Sequence, residues 1–109
     1  MSEFVDNLNE VFTLSGPIPA KRMFGGHGIY HKELMFGLVA DDVLYLKADK
    51  QSVNKFIEQG LEPFEYDKKG KKIQISYYMA PEEIFDDPEL SKEWAEVVFE
   101  AALRGRKGK

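Results

Sequence analysis

Apolar positions along the chain change period, and each period predicts an element. Phe4, Leu8, Val11 and Phe12 recur as one face of a helix. Ser2 is placed to cap that helix, and Ser15-Gly16-Pro17 to end it. Beyond Ile29 the spacing becomes that of strands. Residues 34–40 and 43–48 read as two strands around Asp41-Asp42, a turn-forming pair that predicts a hairpin. The first strand is apolar on both faces, with Met35 and Val39 on one and Phe36 and Leu38 on the other. In the second, Leu44 and Leu46 oppose Tyr45 and Lys47. A strand apolar on both faces needs a cover on each. Helices of this chain supply one cover, and the other is not evident.

Asp49 then opens a short helix carrying Val53, Phe56 and Ile57, which Gly60 stops. Residues 64–67 and 72–79 predict a second hairpin around Lys68-Lys69-Gly70-Lys71. Its long strand alternates, with Ile73, Ile75, Tyr77 and Met79 on one face and Gln74, Ser76 and Tyr78 on the other. Pro81 and Pro88 are both placed as first helical residues, followed by Glu82, Glu83 and Glu89 at the positive end. The last helix buries a stripe of Leu90, Trp94, Val97, Val98 and Ala101. Ala95, Phe99 and Leu103 fall outside it, as a candidate interaction surface. The order is α-β-β-β-α-β-β-α. It predicts an α+β fold with a largely antiparallel sheet and helices on one face. The domain is expected over residues 1–103, with a frayed basic tail at 104–109.

Glycine marks the most distinctive stretch. Gly25, Gly26 and Gly28 lie within the ten residues from Lys21 to Tyr30. Such clustering calls for positive φ or for close approach of another backbone. The stretch reads as a bend or bulge at the start of the first strand. Phosphate-cradling loops run instead from a strand into a helix, and neither Gly-Lys-Ser nor Gly-Lys-Thr follows here. Arg22, flanked by Met23 and Phe24, is expected to be partly buried and paired, with an exposed anion-binding role as the alternative.

Composition narrows the chemistry. The 109 residues suit one domain, and 43% hydrophobic content suits one core. The absence of cysteine excludes disulfides, thiolate zinc sites and cysteine nucleophiles, and suits a reducing cytoplasm. No apolar run approaches a membrane span. His27 and His31 are the only histidines, and on a strand they stand about 13 Å apart, too far to share a metal. Ser76 has no nucleophile elbow around it, and Glu82, Glu83, Asp86 and Asp87 suit helix starts. Neither a catalytic residue nor a cofactor or metal site is therefore expected. The net charge of −4 opposes nucleic acid, although Lys68, Lys69, Lys71 and Lys72 could make a local contact.

Several of these segments together resemble one family. Arg22-Met23-Phe24-Gly25-Gly26 with Gly28-Ile29-Tyr30 is similar to the opening signature of the TfoX (Sxy) N-terminal domain family. So are Met35-Phe36, Leu44-Tyr45-Leu46-Lys47, Pro63-Phe64 with Tyr66, and Ser76-Tyr77-Tyr78 ahead of Ala80-Pro81-Glu82-Glu83. The resemblance implies a secretion-chaperone-like arrangement whose relatives often dimerise, and a bacterial role in competence regulation alongside the cyclic-AMP receptor protein. Full-length members add a helical C-terminal domain where this chain ends, so the competence role is not expected to carry over simply. Three functions are weighed: a non-catalytic regulatory module acting by protein contact, in a homodimer or with another protein; a nucleic-acid binder using the lysine hairpin and basic tail; and a small-ligand or enzymatic domain with a pocket near Gly25 to Tyr30.

Overall fold

The computed structural model describes residues 7, 8, 10–12, 18–23, 26–41 and 43–107. Six strands form one antiparallel sheet: β1 (Ala20–Met23), β2 (Gly26–His31), β3 (Leu34–Ala40), β4 (Val43–Lys47), β5 (Pro63–Lys68) and β6 (Lys71–Met79). Their spatial order is β1-β2-β3-β4-β6-β5. Two helices, α1 (Val53–Glu58) and α2 (Pro88–Lys107), accompany a 3-10 turn at Glu82–Phe85. Asn7, Leu8, Glu10 and Val11 are also helical. The α+β class and the antiparallel sheet agree with the sequence pattern.

One strand is additional. Ala20 to Met23 pairs with β2, from Ala20 opposite Ile29 to Met23 opposite Gly26. The glycine stretch therefore joins two strands instead of bending one. A four-residue edge strand with exposed Lys21 and Arg22 has no apolar alternation to betray it. Charged residues also suit an edge, because they deter pairing with another chain. Arg22 is exposed, which corrects its expected burial.

Turns with positive φ tie neighbouring strands. Lys32 and Glu33 have φ of 50° and 69°, and Lys69 and Gly70 of 51° and 80°. Two consecutive left-handed residues match the right-handed twist of a tight hairpin. Asp41 also lies at φ 51° in the β3–β4 turn, a conformation that aspartate tolerates.

A bulge decides which β3 residues meet the helices. Ile29 faces Gly37 while Tyr30 faces Met35, so Phe36 is the extra residue. In a bulge, two neighbours can share a side. Phe36 thereby joins Ile29, Val39, Leu44 and Leu46 in the helix-side core. It is fully buried and meets Phe12 and Phe99 edge to face, with centroids 5.6 and 4.8 Å away. Trp94 on α2 is 2% exposed and lies 5.1 Å from the ring of Phe56.

The last helix differs from its expected face and length. Ala95 is fully buried and Phe99 packs against the core, so the interaction surface expected at Ala95, Phe99 and Leu103 is largely internal. Of the three, only Leu103 is exposed, at 42%. The sheet presents a broad surface, and the helix rests on it with a wider apolar stripe than five positions. The basic tail was expected to fray from Arg104, but α2 continues to Lys107. Arg104 is anchored by Asp49, its Nε donating at 2.6 Å and its Nη2 at 3.0 Å. Residues 108 and 109 lie outside the described residues.

Candidate functional site

The two faces of the sheet can be assigned from pairing. Directly opposed residues share a face, and neighbours along a strand alternate. Leu46 is opposed by Gly37 and Tyr78, and it belongs to the core beneath the helices. The other face therefore carries Leu38 and Tyr45, which oppose each other, and Met79, which opposes Tyr45. Tyr77 follows by alternation, and Tyr30 with Met35 extends the set across the bulge. Phe64 reaches it from β5, its ring 4.9 Å from that of Tyr45.

None of these side chains belongs to the helix-side core. Leu38 is 7% exposed, whereas Tyr30, Met35, Tyr45, Phe64, Tyr77 and Met79 are half-buried. The described helices place their buried residues on the opposite side, leaving a wide aromatic and methionine-rich face. Methionine adapts to irregular surfaces, and tyrosine combines an apolar ring with a polar tip.

Cations and anions border this face. Lys21 Nζ stands 5.2 Å from the Tyr30 ring centre, and Lys47 Nζ stands 5.3 Å from that of Tyr77 and 3.3 Å from Ser76 Oγ. Burial, with a smaller contribution from Tyr30, pushes the Tyr77 hydroxyl up to about 12. Tyr45 is also raised, by burial first and then by the charges of Asp41 and Glu62. Tyr45 and Tyr77 thus present neutral hydroxyl tips on an apolar floor.

Other sites expected from sequence are dispersed. His31 ends β2, and it stacks on Phe99 with centroids 3.9 Å apart and planes 4° apart. Burial, then Lys32, lowers its pKa below the ordinary histidine range. It lines a cavity of about 380 Å³ with Lys32, Phe36 and Glu100. A second cavity, of about 500 Å³, lies by Lys47, Ser76, Tyr78 and Gly105. Among the described residues, no group of three or more His, Cys, Asp or Glu could hold a metal. No helix among them is long and apolar enough to cross a membrane. Lys69, Lys71 and Lys72 are exposed at the β5–β6 turn, where the backbone of Lys68 ends β5.

Among the signature residues, Gly26 has a structural role. A Cβ on Gly26 would lie 2.0 Å from the Val39 carbonyl oxygen, so close strand approach, not positive φ, requires glycine there. Gly28 is buried in β2, and Tyr30 lies on the open face. Phe24 and Gly25 lie outside the described residues, as does the side chain of Met23. Sequence reasoning left one side of β3 without a cover but did not name the residues of the open face. The available signal was the run from Met35 to Val39, apolar on both sides.

An antiparallel sheet with helices on one face and aromatics on the other defines an open-faced α+β module. Residues 10–102 match the family model described as the TfoX N-terminal domain, and the chain belongs to that family. It is 33% identical over 63 residues to the DNA transformation protein TfoX1 of Aliivibrio fischeri, covering 58% of this chain and 30% of that protein. It is 32% identical over 68 residues to the DNA transformation protein TfoX of Haemophilus influenzae, covering 62% of this chain and 31% of that one. The matched segment thus spans about a third of the length of these relatives.

Proposed function

We propose that this chain is a non-catalytic, cytoplasmic regulatory module, related in role to DNA transformation, that works by protein–protein contact through the open face of its sheet. The family and its DNA-transformation relatives support the link to transformation. One observation carries the contact part: Tyr30, Met35, Leu38, Tyr45, Phe64, Tyr77 and Met79 form a continuous apolar face away from the helix-side core. Contiguous patches of this kind mark interaction sites on soluble domains. Aromatic residues and methionine are also the types enriched at interface centres.

The test is made in the native cell. Transformation frequency is compared among wild type, a deletion and Tyr45→Asp, with protein level checked in each. Deletion and Tyr45→Asp are expected to change it alike. A normal phenotype for Tyr45→Asp beside a defective deletion would move the contact elsewhere. A deletion without effect would remove the competence role.

Exposed Lys69, Lys71 and Lys72 favour a second reading, nucleic-acid contact through the β5–β6 turn. Titration with duplex and single-stranded DNA at two salt concentrations tests it, since phosphate contacts give a steep salt slope. No complex tighter than non-specific binding, about 10⁻⁴–10⁻⁶ M, is expected at physiological salt.

A further inference from the structure

The open sheet has two electrically different ends. β3 runs toward the turn at Asp41, β4 runs back, and β6, antiparallel to β4, runs toward that turn again. Exposed Asp41, Glu62, Glu82 and Glu83 therefore gather at one end, against Arg22 of β1. Asp41 and Glu62 both act on the Tyr45 hydroxyl, so their charge reaches the open face. The other end holds Lys32, Lys47, Lys69, Lys71 and Lys72, against Glu33 and Asp67. That basic end also projects. β4 pairs with β6 at residues 77–79 and the Ala48 N–H bonds the Ser76 carbonyl, while β5 pairs with β6 back to Lys71. Residues 71–75 thus extend as a two-stranded arm, about 17 Å at the strand rise.

From this asymmetry we infer that the open face binds a second copy of the chain. The two sheets pair face to face about a two-fold axis perpendicular to their strands, each lysine arm lying over the acidic end of its partner. The inference rests on the reading of this face as a protein-contact surface, and it names the occupant. Such an axis reverses strand direction between copies, so acidic end meets basic end twice. The apolar floors meet between them, as a self-complementary interface requires. Unlike charges at the rim set register and speed association, while the apolar centre carries most of the affinity.

Sedimentation equilibrium of the purified chain, from micromolar to near-millimolar concentration, should show a dimer that weakens with added salt. Tyr45→Asp should give a monomer with unchanged circular dichroism. Because that variant touches packed residues, exposed charges supply an independent test. Lys71→Glu with Lys72→Glu, and separately Glu62→Lys, should each weaken self-association about tenfold or less, the scale of rim charges. Mixing the two variants should restore a dimer of one copy of each, because both opposed pairs are then unlike. A wild-type monomer throughout, a folded Tyr45→Asp dimer, or a mixture no tighter than its components would overturn the arrangement. The cell assay with Tyr45→Asp remains separate. A monomer whose Tyr45→Asp variant still loses function would leave the contact surface standing with a different occupant.

Discussion

The two faces of the sheet are made of similar residue types but have different fates. Under the helices, Phe36, Leu46, Trp94 and Val98 are at most 2% exposed, and Phe36 meets the ring of Phe99 as Trp94 meets that of Phe56. On the open side Tyr30, Met35, Tyr45, Tyr77 and Met79 are only half-buried. Hydrophobicity alone does not separate stability from recognition. What separates them is whether a described helix lies on that face. The covered side also excludes most polar tips, whereas the open side carries three phenols and bordering lysines. That composition fits a surface that must be stable in water and still release water when something docks.

The largest test of this contrast is truncation of the covered core. Trp94→Ala should cost about 3–5 kcal/mol in denaturant unfolding, because a buried aromatic leaves a cavity that the sheet cannot close. An equivalent change on the open side, Met79→Ala, should cost about 1 kcal/mol or less, in keeping with partial burial. Equal losses would erase the distinction between the faces.

Next comes the backbone that holds both faces in register. Gly26→Val should cost about 1–3 kcal/mol, since the new Cβ falls on the Val39 carbonyl and β2 must move from β3. Unchanged melting would mean that the two strands can part without penalty.

The phenols of the open face give a subtler probe. Tyr77 ionises near 12 in the folded chain, above its ordinary value of 10.0. An acid whose folded pKa is raised favours the protonated, folded form, so stability is present below about pH 10 and falls as pH rises toward 12. Ultraviolet titration of tyrosine, with Tyr77→Phe as control, should show that late phase. A single phase at the ordinary position would place Tyr77 in water.

The smallest effect is expected at the last helix. Asp49 is held at about 2, chiefly by the hydrogen bonds from Arg104 and also by those from Ser52. Its folded pKa lies below the unfolded one, so its contribution is present above about pH 4 and lost as pH falls toward 2. Asp49→Asn should lower the melting temperature slightly at neutral pH and flatten the acid limb over that window. An unchanged acid limb would show that the pairing does not anchor α2.

Much of this arrangement was legible in advance. The β3–β4 hairpin, α1, the second hairpin and the final helix follow from period and punctuation, and the stretch from Arg22 to Tyr30 carried the resemblance to the family. Three features were not legible for particular reasons. β1 is short and charged because it is an edge. Phe36 changes sides because of a bulge, which a strict two-residue alternation cannot express. Ala95 and Phe99 are internal because the sheet is broad enough to receive more of the helix than its central stripe.

The chain's own pattern determined which residues are apolar, where strands turn and where helices start, because local backbone preferences and side-chain periods are written residue by residue. It also determined that β3 is apolar on both sides. Tertiary structure alone decided which side is covered. The helices can lie on only one face at a time, and which one depends on the bulge at Phe36 and the register of β6 against β4. Those are contacts between segments far apart in sequence. The separation of the sheet's acidic end from its basic end arises the same way, since strand direction brings Asp41 toward Glu62 and leaves the lysine arm at the opposite end.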